Sequence, residues 1–546
     1  MAGGLLNIIS NGNANIILTG NPSKTFFKVT YSKYTNFGLQ KFRIDFDGLR
    51  QLRLTEPSKF TFKFPRYAEL LMDTYLVITL PNIWSPIYNP CQQTGNKWVP
   101  YDFKWIRDLG TNMISELELT CGSNTIQKYS GDYIAAMVER DFTAEKKELF
   151  NRMSGNVPEL YDPANTYGRQ NTYPSAYYNS SANGAEPSIR GRNIYIPINM
   201  FFTLDSRCAF PMIALQYNEL YLSVTLRPIQ ELFQVRDVFD SNNNYPYCQP
   251  DFNQPQFKMY SFLQTPPLDI SLPNAYTNTL STWNTDIHLI STYCFLSEQE
   301  ARRVALEDQV YLVKDVFEYN FQNVTGSQRV KLTSNSMIAS WMWYLQRNDV
   351  NMRNEWSNYT NWPYSILPVD VIPAPYPKNI GGLAPGIQPA DNTNTGYFIT
   401  GVLSEYNQKE ILQTLGIVLN GDYRENVLES GIYNYVEKYV RCRGGAKDGL
   451  YCYNFCLNTS PFEYQPSGAI NLSKFRIIEL EVTTYVPPVD IGTSKFTVIY
   501  DSNGYPIGTT SPNWKLYEYN YNMKIFEERY NILSFIGGNC GMLYAR

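Results

Sequence analysis

Residues 411–443 read ILQTLGIVLNGDYRENVLESGIYNYVEKYVRCR, and residues 114–142 read ISELELTCGSNTIQKYSGDYIAAMVERDF. Each runs from alternating apolar residues through a Gly-containing turn (Asn420-Gly421, Cys121-Gly122) to Ser-Gly-x-Tyr at the head of a helical pattern. Ser130-Gly131-Asp132-Tyr133 and Ser430-Gly431-Ile432-Tyr433 stand 300 positions apart. A second echo follows each copy, NELYLSVTL at 218–226 and IELEVTT at 478–484, offset by 260. Two anchors in the same order imply a duplicated domain whose halves carry loops of unequal length.

Working outward, 546 residues exceed what one hydrophobic core organises. With 43% apolar and 18% charged residues the chain is globular and charge-poor, and its 44 Tyr suit β-structure and half-buried surfaces. A net charge of −4 gives no overall footprint for wrapping nucleic acid. Nine scattered Cys are odd in number and sparse for a disulfide framework, which favours a reducing compartment. The N-terminal MAGGLLNIIS lacks a basic region, so no secretory signal is read, and no apolar run reaches the roughly 18 residues of a membrane span.

Residues 1–25 read as an arm that orders against a partner covering its Leu/Ile clusters. From Phe26, β-branched and aromatic runs bounded by Pro, Gly and Asn predict strands: FFKVTY, LQKFRIDF, FTFKF and Leu70–Leu80, then Ile194–Ile198 and Phe210–Leu226. Asn151–Arg192 and Arg347–Tyr397 read as long surface loops on one outward face. Pro228–Asp286 is Pro/Asn-rich and reads as the domain connection. Further strands are expected at Ile287–Leu296, opening the second half, and at Val310–Phe321, Met337–Gln346, Gly449–Leu457, Ile470–Val486 and the C-terminus, with a helix at Glu298–Glu307. The expected architecture is all-β: two consecutive eight-stranded jelly rolls with long loops and a few short helices. Its parts are an arm (1–25), a first jelly roll (26–230), a connecting segment (231–282) and a second jelly roll (283–546).

The search for chemistry finds no catalytic, cofactor-binding or metal-binding residue. His288, the only histidine, sits in an alternating strand pattern, which excludes His-rich metal sites. No nucleophile elbow accompanies it. Cys442, Cys452 and Cys456 lack a fourth ligand at recognisable spacing and read as unligated thiols. GGAKDG and GGLAPG lack the ending of a phosphate loop. Lys438, Arg441, Arg443 and Lys447 read as cations complementing a helix C-terminus. The sequons at Asn179, Asn323, Asn358, Asn458 and Asn471 read as incidental without a secretory route.

Three stretches together resemble the major capsid proteins of nucleocytoplasmic large DNA viruses, the double jelly-roll lineage. LTGNPSKTFFKVTYSKYTNF (18–37) is similar to the family's N-terminal signature, FPMIALQYNELYLSVTLRP (210–228) to the closing strands of its first jelly roll, and QPSGAINLS (465–473) to a turn before a late strand of its second. Ser32, Tyr34 and Gln309 depart from residues common in relatives, which blurs the lineage and leaves the fold intact. The resemblance implies a non-enzymatic major capsid protein forming pseudo-hexagonal homotrimeric capsomers that tile an icosahedral shell in the virion. It implies assembly in the host cytoplasm, with neighbouring capsomers, minor capsid proteins and the inner membrane surface as partners and no direct contact with nucleic acid. The alternatives are a double jelly-roll carbohydrate-active enzyme, which needs paired acids in a cleft, and a lectin-like binding module.

Overall fold

The computed structural model describes residues 3–544 apart from 11–33, 47, 49–50, 89–98, 170–172, 175–185, 239–245, 268–274, 282, 284, 366–387, 390–397, 400–407, 464, 491–496 and 511–515. The expected FFKVTY strand, most of the 18–37 signature, Asn179 and GGLAPG therefore lie outside the described residues.

Eight strands make the first sandwich: β1 (Phe37–Ile44), β2 (Ser58–Lys63), β3 (Leu70–Thr79), β4 (Ile114–Cys121), β5 (Asn124–Tyr129), β6 (Asn193–Pro197), β7 (Leu220–Leu226) and β8 (Ile287–Leu296). Eight more make the second: β9 (Gln309–Phe321), β10 (Ser327–Leu332), β11 (Met337–Arg347), β12 (Leu412–Leu419), β13 (Asp422–Glu429), β14 (Leu450–Asn454), β15 (Ile478–Thr484) and β16 (Tyr521–Ile536). The first pairs as β1-β8-β3-β6 facing β2-β7-β4-β5, the second as β9-β16-β11-β14 facing β10-β15-β12-β13. Every pairing is antiparallel, and the two orders are the same jelly roll written twice.

Both sequence anchors occupy equivalent positions. β4-β5 and β12-β13 are the hairpins that lead into the Ser-Gly-x-Tyr helices, α2 (Gly131–Asp141) in the first copy. In the second copy one π turn (Ile432–Val436) runs into α5 (Glu437–Arg441). β7 and β15 show the same inward/outward alternation, Leu220, Leu222, Val224 and Leu226 against Ile478, Leu480, Val482 and Thr484. Asn420 and Gly421, both at positive φ (52° and 93°), form the two-residue turn that matches strand twist in a tight hairpin.

The structure moves the domain boundary. β8, expected to open the second half, lies between β1 and β3, pairing Phe37 with Leu296 and Ile78 with Ile287. It completes the first jelly roll, because a sandwich missing that strand would leave the facing edges of β1 and β3 unpaired. Nor is 231–282 a linker. Phe233–Arg236 pairs with Phe103–Trp105 and Tyr247–Cys248, while Phe252, Phe257, Met259 and Phe262 are buried in the first core. The true junction is α4 (Glu298–Leu306), a single amphipathic helix between β8 and β9. The loop expected from Asn151 also begins inside a helix, α3 (Ala144–Ser154).

The start of the arm is ordered by the chain itself. α1 (Gly3–Ile9) buries Leu6 in the second sandwich's core, and Arg424 Nε donates to Asn7 Oδ1 at 3.0 Å. Leu5, Ile8 and Ile9 remain exposed.

In each roll the loops after the first, third, fifth and seventh strands gather at one end, because successive strands alternate in direction. The long loops after β3, β5, β7 and β11 belong to this crown. α1 sits against Tyr423 and Arg424, beside the β12-β13 turn, at the opposite end.

Candidate functional site

His288 is buried beside Asp286, 3.4 Å away, and burial, reinforced by the Arg43 charge, lowers its pKa. Cys452 and Cys456 are buried, and no cluster of three or more His, Cys, Asp or Glu able to hold a metal occurs among the described residues. Asn358 and Asn471 are buried with their side chains bonded to neighbouring backbone, whereas Asn323 is exposed.

Of the basic cluster, Lys438 and Arg441 stand in the last turn of α5, whereas Arg443 and Lys447 lie beyond it and pair with carboxylates. Lys438 is buried, donating to Asn434 Oδ1 at 2.8 Å and to the Leu450 carbonyl; Lys447 pairs with Asp108 at 3.2 Å; Arg443 pairs with Glu463. GGAKDG is a bracket between sandwiches. Gly444 and Gly445 donate their backbone N–H to the Arg140 and Glu139 carbonyls, satisfying the last turn of α2.

What these residues frame is the seam between the two jelly rolls, and α2 carries it. Gly131 lets the helix begin there: a Cβ would stand 1.8 Å from the Thr111 carbonyl oxygen. Arg140 (1% exposed) donates from Nη2 to Glu528 Oε1 and Asp141 Oδ2, both at 2.7 Å, and from Nη1 to Ser340 Oγ at 3.0 Å. Tyr133 Oη donates to the same Glu528 oxygen at 2.9 Å, and Ser340 Oγ to the other at 2.6 Å. Burial drives the Glu528 carboxyl upward, but Arg140 and Lys314 override it and hold the group at about 2. At the head of α2, Lys524 Nζ reaches Asp132 Oδ2 at 2.7 Å, Ser130 Oγ at 2.9 Å and Glu318 Oε2 at 3.1 Å. Burial likewise pushes Asp132 up, and Lys524 and Arg227 bring it down to about 2.

Apolar packing is continuous across this seam. Val313, Val316, Met342 and Phe526 of the second sandwich belong to one buried cluster with Tyr133, Ile134 and Met137 of α2. Nearer the crown, Asn354 Nδ2 donates to the Gln230 and Phe233 carbonyls and Trp356 Nε1 to that of Glu231. The arrangement joins two bodies rigidly. Its carboxylates are committed to cations, so it offers no general acid or base.

Two family models match, one in each half of the chain. A family model described as "Major capsid protein N-terminus" matches residues 25–264, and "Large eukaryotic DNA virus major capsid protein" matches residues 300–541. The chain belongs to the major capsid proteins of large eukaryotic DNA viruses. Among curated relatives, this capsid protein is 23% identical to the major capsid protein of Phaeocystis pouchetii virus and 25% identical to that of Paramecium bursaria Chlorella virus 1, each over the full length of both chains. It shares its fold with the PBCV-1 virus capsid protein (TM-score 0.58, 19% identity, 96% of this chain and 100% of that one). The Faustovirus major capsid protein is similar in fold too (TM-score 0.56, 10% identity, 93% and 92%).

Sequence reasoning singled out Ser130-Gly131-Asp132-Tyr133 as a repeat marker and missed that it is the seam. The available signal was charge inside apolar runs: Arg140-Asp141 closing IAAMVERD and Glu527-Glu528-Arg529 within β16.

Proposed function

We propose that three copies of this capsid protein close into a pseudo-hexagonal capsomer by repeating, between chains, the contact that joins the two jelly rolls within a chain. The observation that carries this reading is the fate of the second Ser-Gly-x-Tyr helix. α2 buries its outer face against the second sandwich. The equivalent segment of the second sandwich leaves Tyr435, Val436, Tyr439 and Val440 exposed, Tyr439 at 91%. Each of these stands 300 positions beyond an α2 residue, Val440 matching the seam's Arg140. A first sandwich of the next chain docks there in the same sense, and two similar bodies per chain close the ring after three chains. Apolar side chains exposed on one face of an otherwise charge-poor surface suit such burial.

In this reading the crown faces outward and α1, at the opposite end, faces inward. Leu5, Ile8 and Ile9 then meet minor capsid proteins or the inner membrane surface, and assembly proceeds in the host cytoplasm. The chain's work is structural and needs no catalytic chemistry.

The test is light scattering on the purified chain and a Tyr439→Glu variant. Wild type is expected at about three times the 63.0 kDa chain mass, and the variant at one chain mass with an unchanged circular dichroism spectrum. A wild type that stays monomeric at micromolar concentration, or a variant that trimerises normally, overturns the arrangement.

A further inference from the structure

Four crown loops close around a cavity of about 280 Å³, with Lys104 and Trp105 from the loop after β3, Tyr161 from that after β5, Arg236 and Tyr247 from that after β7, and Tyr364 from that after β11. Asn354 and Trp356, which bridge the two rolls, form part of its wall. Buried polar atoms without hydrogen-bond partners gather here: Arg236 Nη1, Trp105 Nε1 and, behind Arg236, Asp102 Oδ1. Arg236 (3% exposed) is otherwise held, with Nε 3.2 Å from Asp102 Oδ2 and Nη2 donating to Tyr247 Oη at 3.1 Å. Trp105 is 1% exposed. Lys104 Nζ rests 3.8 Å from the centroid of the Tyr247 ring. A buried donor left unmade costs about 1–3 kcal/mol, so fixed donors around an open space are organised for a molecule that brings acceptors.

The lining defines its chemistry. Three cationic side chains, Lys104, Arg107 and Arg236, and an indole N–H suit a carboxylate. Tyr161, Tyr247 and Tyr364 supply ring faces, and the Asp162 and Glu355 carboxylates supply acceptors for hydroxyl groups. The space lies near the lower end of ligand-site volumes, about 300 Å³, which fits one pyranose ring. We propose that this crown cavity binds a carboxylated saccharide, a hexuronate unit of an acidic glycan. On a capsid whose crowns face outward, as proposed above, the cavity is a glycan-attachment site, while the binding itself needs no assembly.

Titration of the full-length protein with sodium glucuronate, glucose and inorganic sulfate, followed by saturation-transfer NMR and calorimetry, tests this. Glucuronate should bind, with glucose and sulfate each at least ten-fold weaker. Lys104→Met removes one cation, and Asn165→Trp places bulk at the exposed rim without touching the buried groups. Each should weaken glucuronate binding ten-fold or more; for the exposed Asn165→Trp the melting temperature stays within about 2 °C, since surface changes are worth about 0.5 kcal/mol, and for the half-buried Lys104→Met an unchanged circular dichroism spectrum shows that the fold is kept. The proposal fails if glucuronate does not bind the folded wild type. It fails equally if glucose matches glucuronate, if sulfate matches it, or if both variants bind as wild type does. Because the readout needs no assembly, its failure is distinct from failure of the trimer.

Discussion

Replacing Arg140 by Met should loosen the chain at its seam. The substitution keeps an unbranched apolar stem but removes five hydrogen bonds at a site 1% exposed, leaving Asp141 and Glu528 with only Lys314 to offset their charges. Removing one partner from a buried ion pair costs about 3–5 kcal/mol, most of it the penalty for the charges left behind. The Glu528 carboxyl agrees in direction: against burial, Arg140, with Lys314 and Ser340, holds it at about 2, below the free group. For a unit of about 250 residues, each kcal/mol moves the melting temperature by about 2 °C, so a fall of about 6–10 °C is expected in calorimetry. The sign with pH follows from the depressed pKa. The Glu528 contribution is complete above about 4.5 and is lost as pH falls toward 2, so the gap between wild type and variant should narrow over that interval. Replacing Arg140, Asp141 and Glu528 together (Arg140→Met, Asp141→Leu, Glu528→Met) should recover part of the loss, since an apolar substitute removes the desolvation cost along with the attraction, while Lys314 loses its carboxylate neighbours and retains the remainder of the cost. If the triple variant melts as low as Arg140→Met alone, or the single change costs less than about 1 kcal/mol, uncompensated charge does not govern the seam.

The duplicated glycines should respond oppositely to alanine. Gly131→Ala forces a Cβ into the Thr111 carbonyl and should abolish soluble expression or cost several degrees. Gly431→Ala, in helical conformation with no atom closer than 3.7 Å to the added carbon, should be neutral or gain about 0.5–1 kcal/mol in a melting assay. Deleting residues 1–24 uncovers the Leu6 pocket and should cost about 2 kcal/mol, leaving trimers by light scattering but no closed shells in infected cells; normal particles would reduce the arm to a passive tail. Intact-protein and peptide mass spectrometry of the folded protein should find Asn358 and Asn471 unglycosylated, because a glycan on either buried side chain has no room in the folded chain.

The duplication was legible because β4-β5 and β12-β13 are local hairpins, whose alternation and turn residues lie within one short window. β8 was legible as a strand but not as a member of the first roll, since its partners sit some 250 and 217 positions earlier and leave no local trace. The 231–282 segment looked like a linker because Pro and Asn dominate its composition, although Phe252, Phe257, Met259 and Phe262 each close part of the core. β10, SQRVKL, escaped notice because only Val330 and Leu332 are buried on this edge strand. The seam was hidden for a related reason. Arg140 and Glu528 are 388 residues apart, and each alone resembles an ordinary surface charge.

The bracket formed by Gly444 and Gly445 on the end of α2, together with the shared core, fixes the angle between the two sandwiches. Such a chain behaves as a stiff strut with no elbow. Any closed surface built from it must take its bending at joints between separate molecules, which can be adjusted tile by tile. Flat facets with sharp creases are the natural mechanical outcome, and a smoothly rounded shell would require this strut to bend where its packing is tightest.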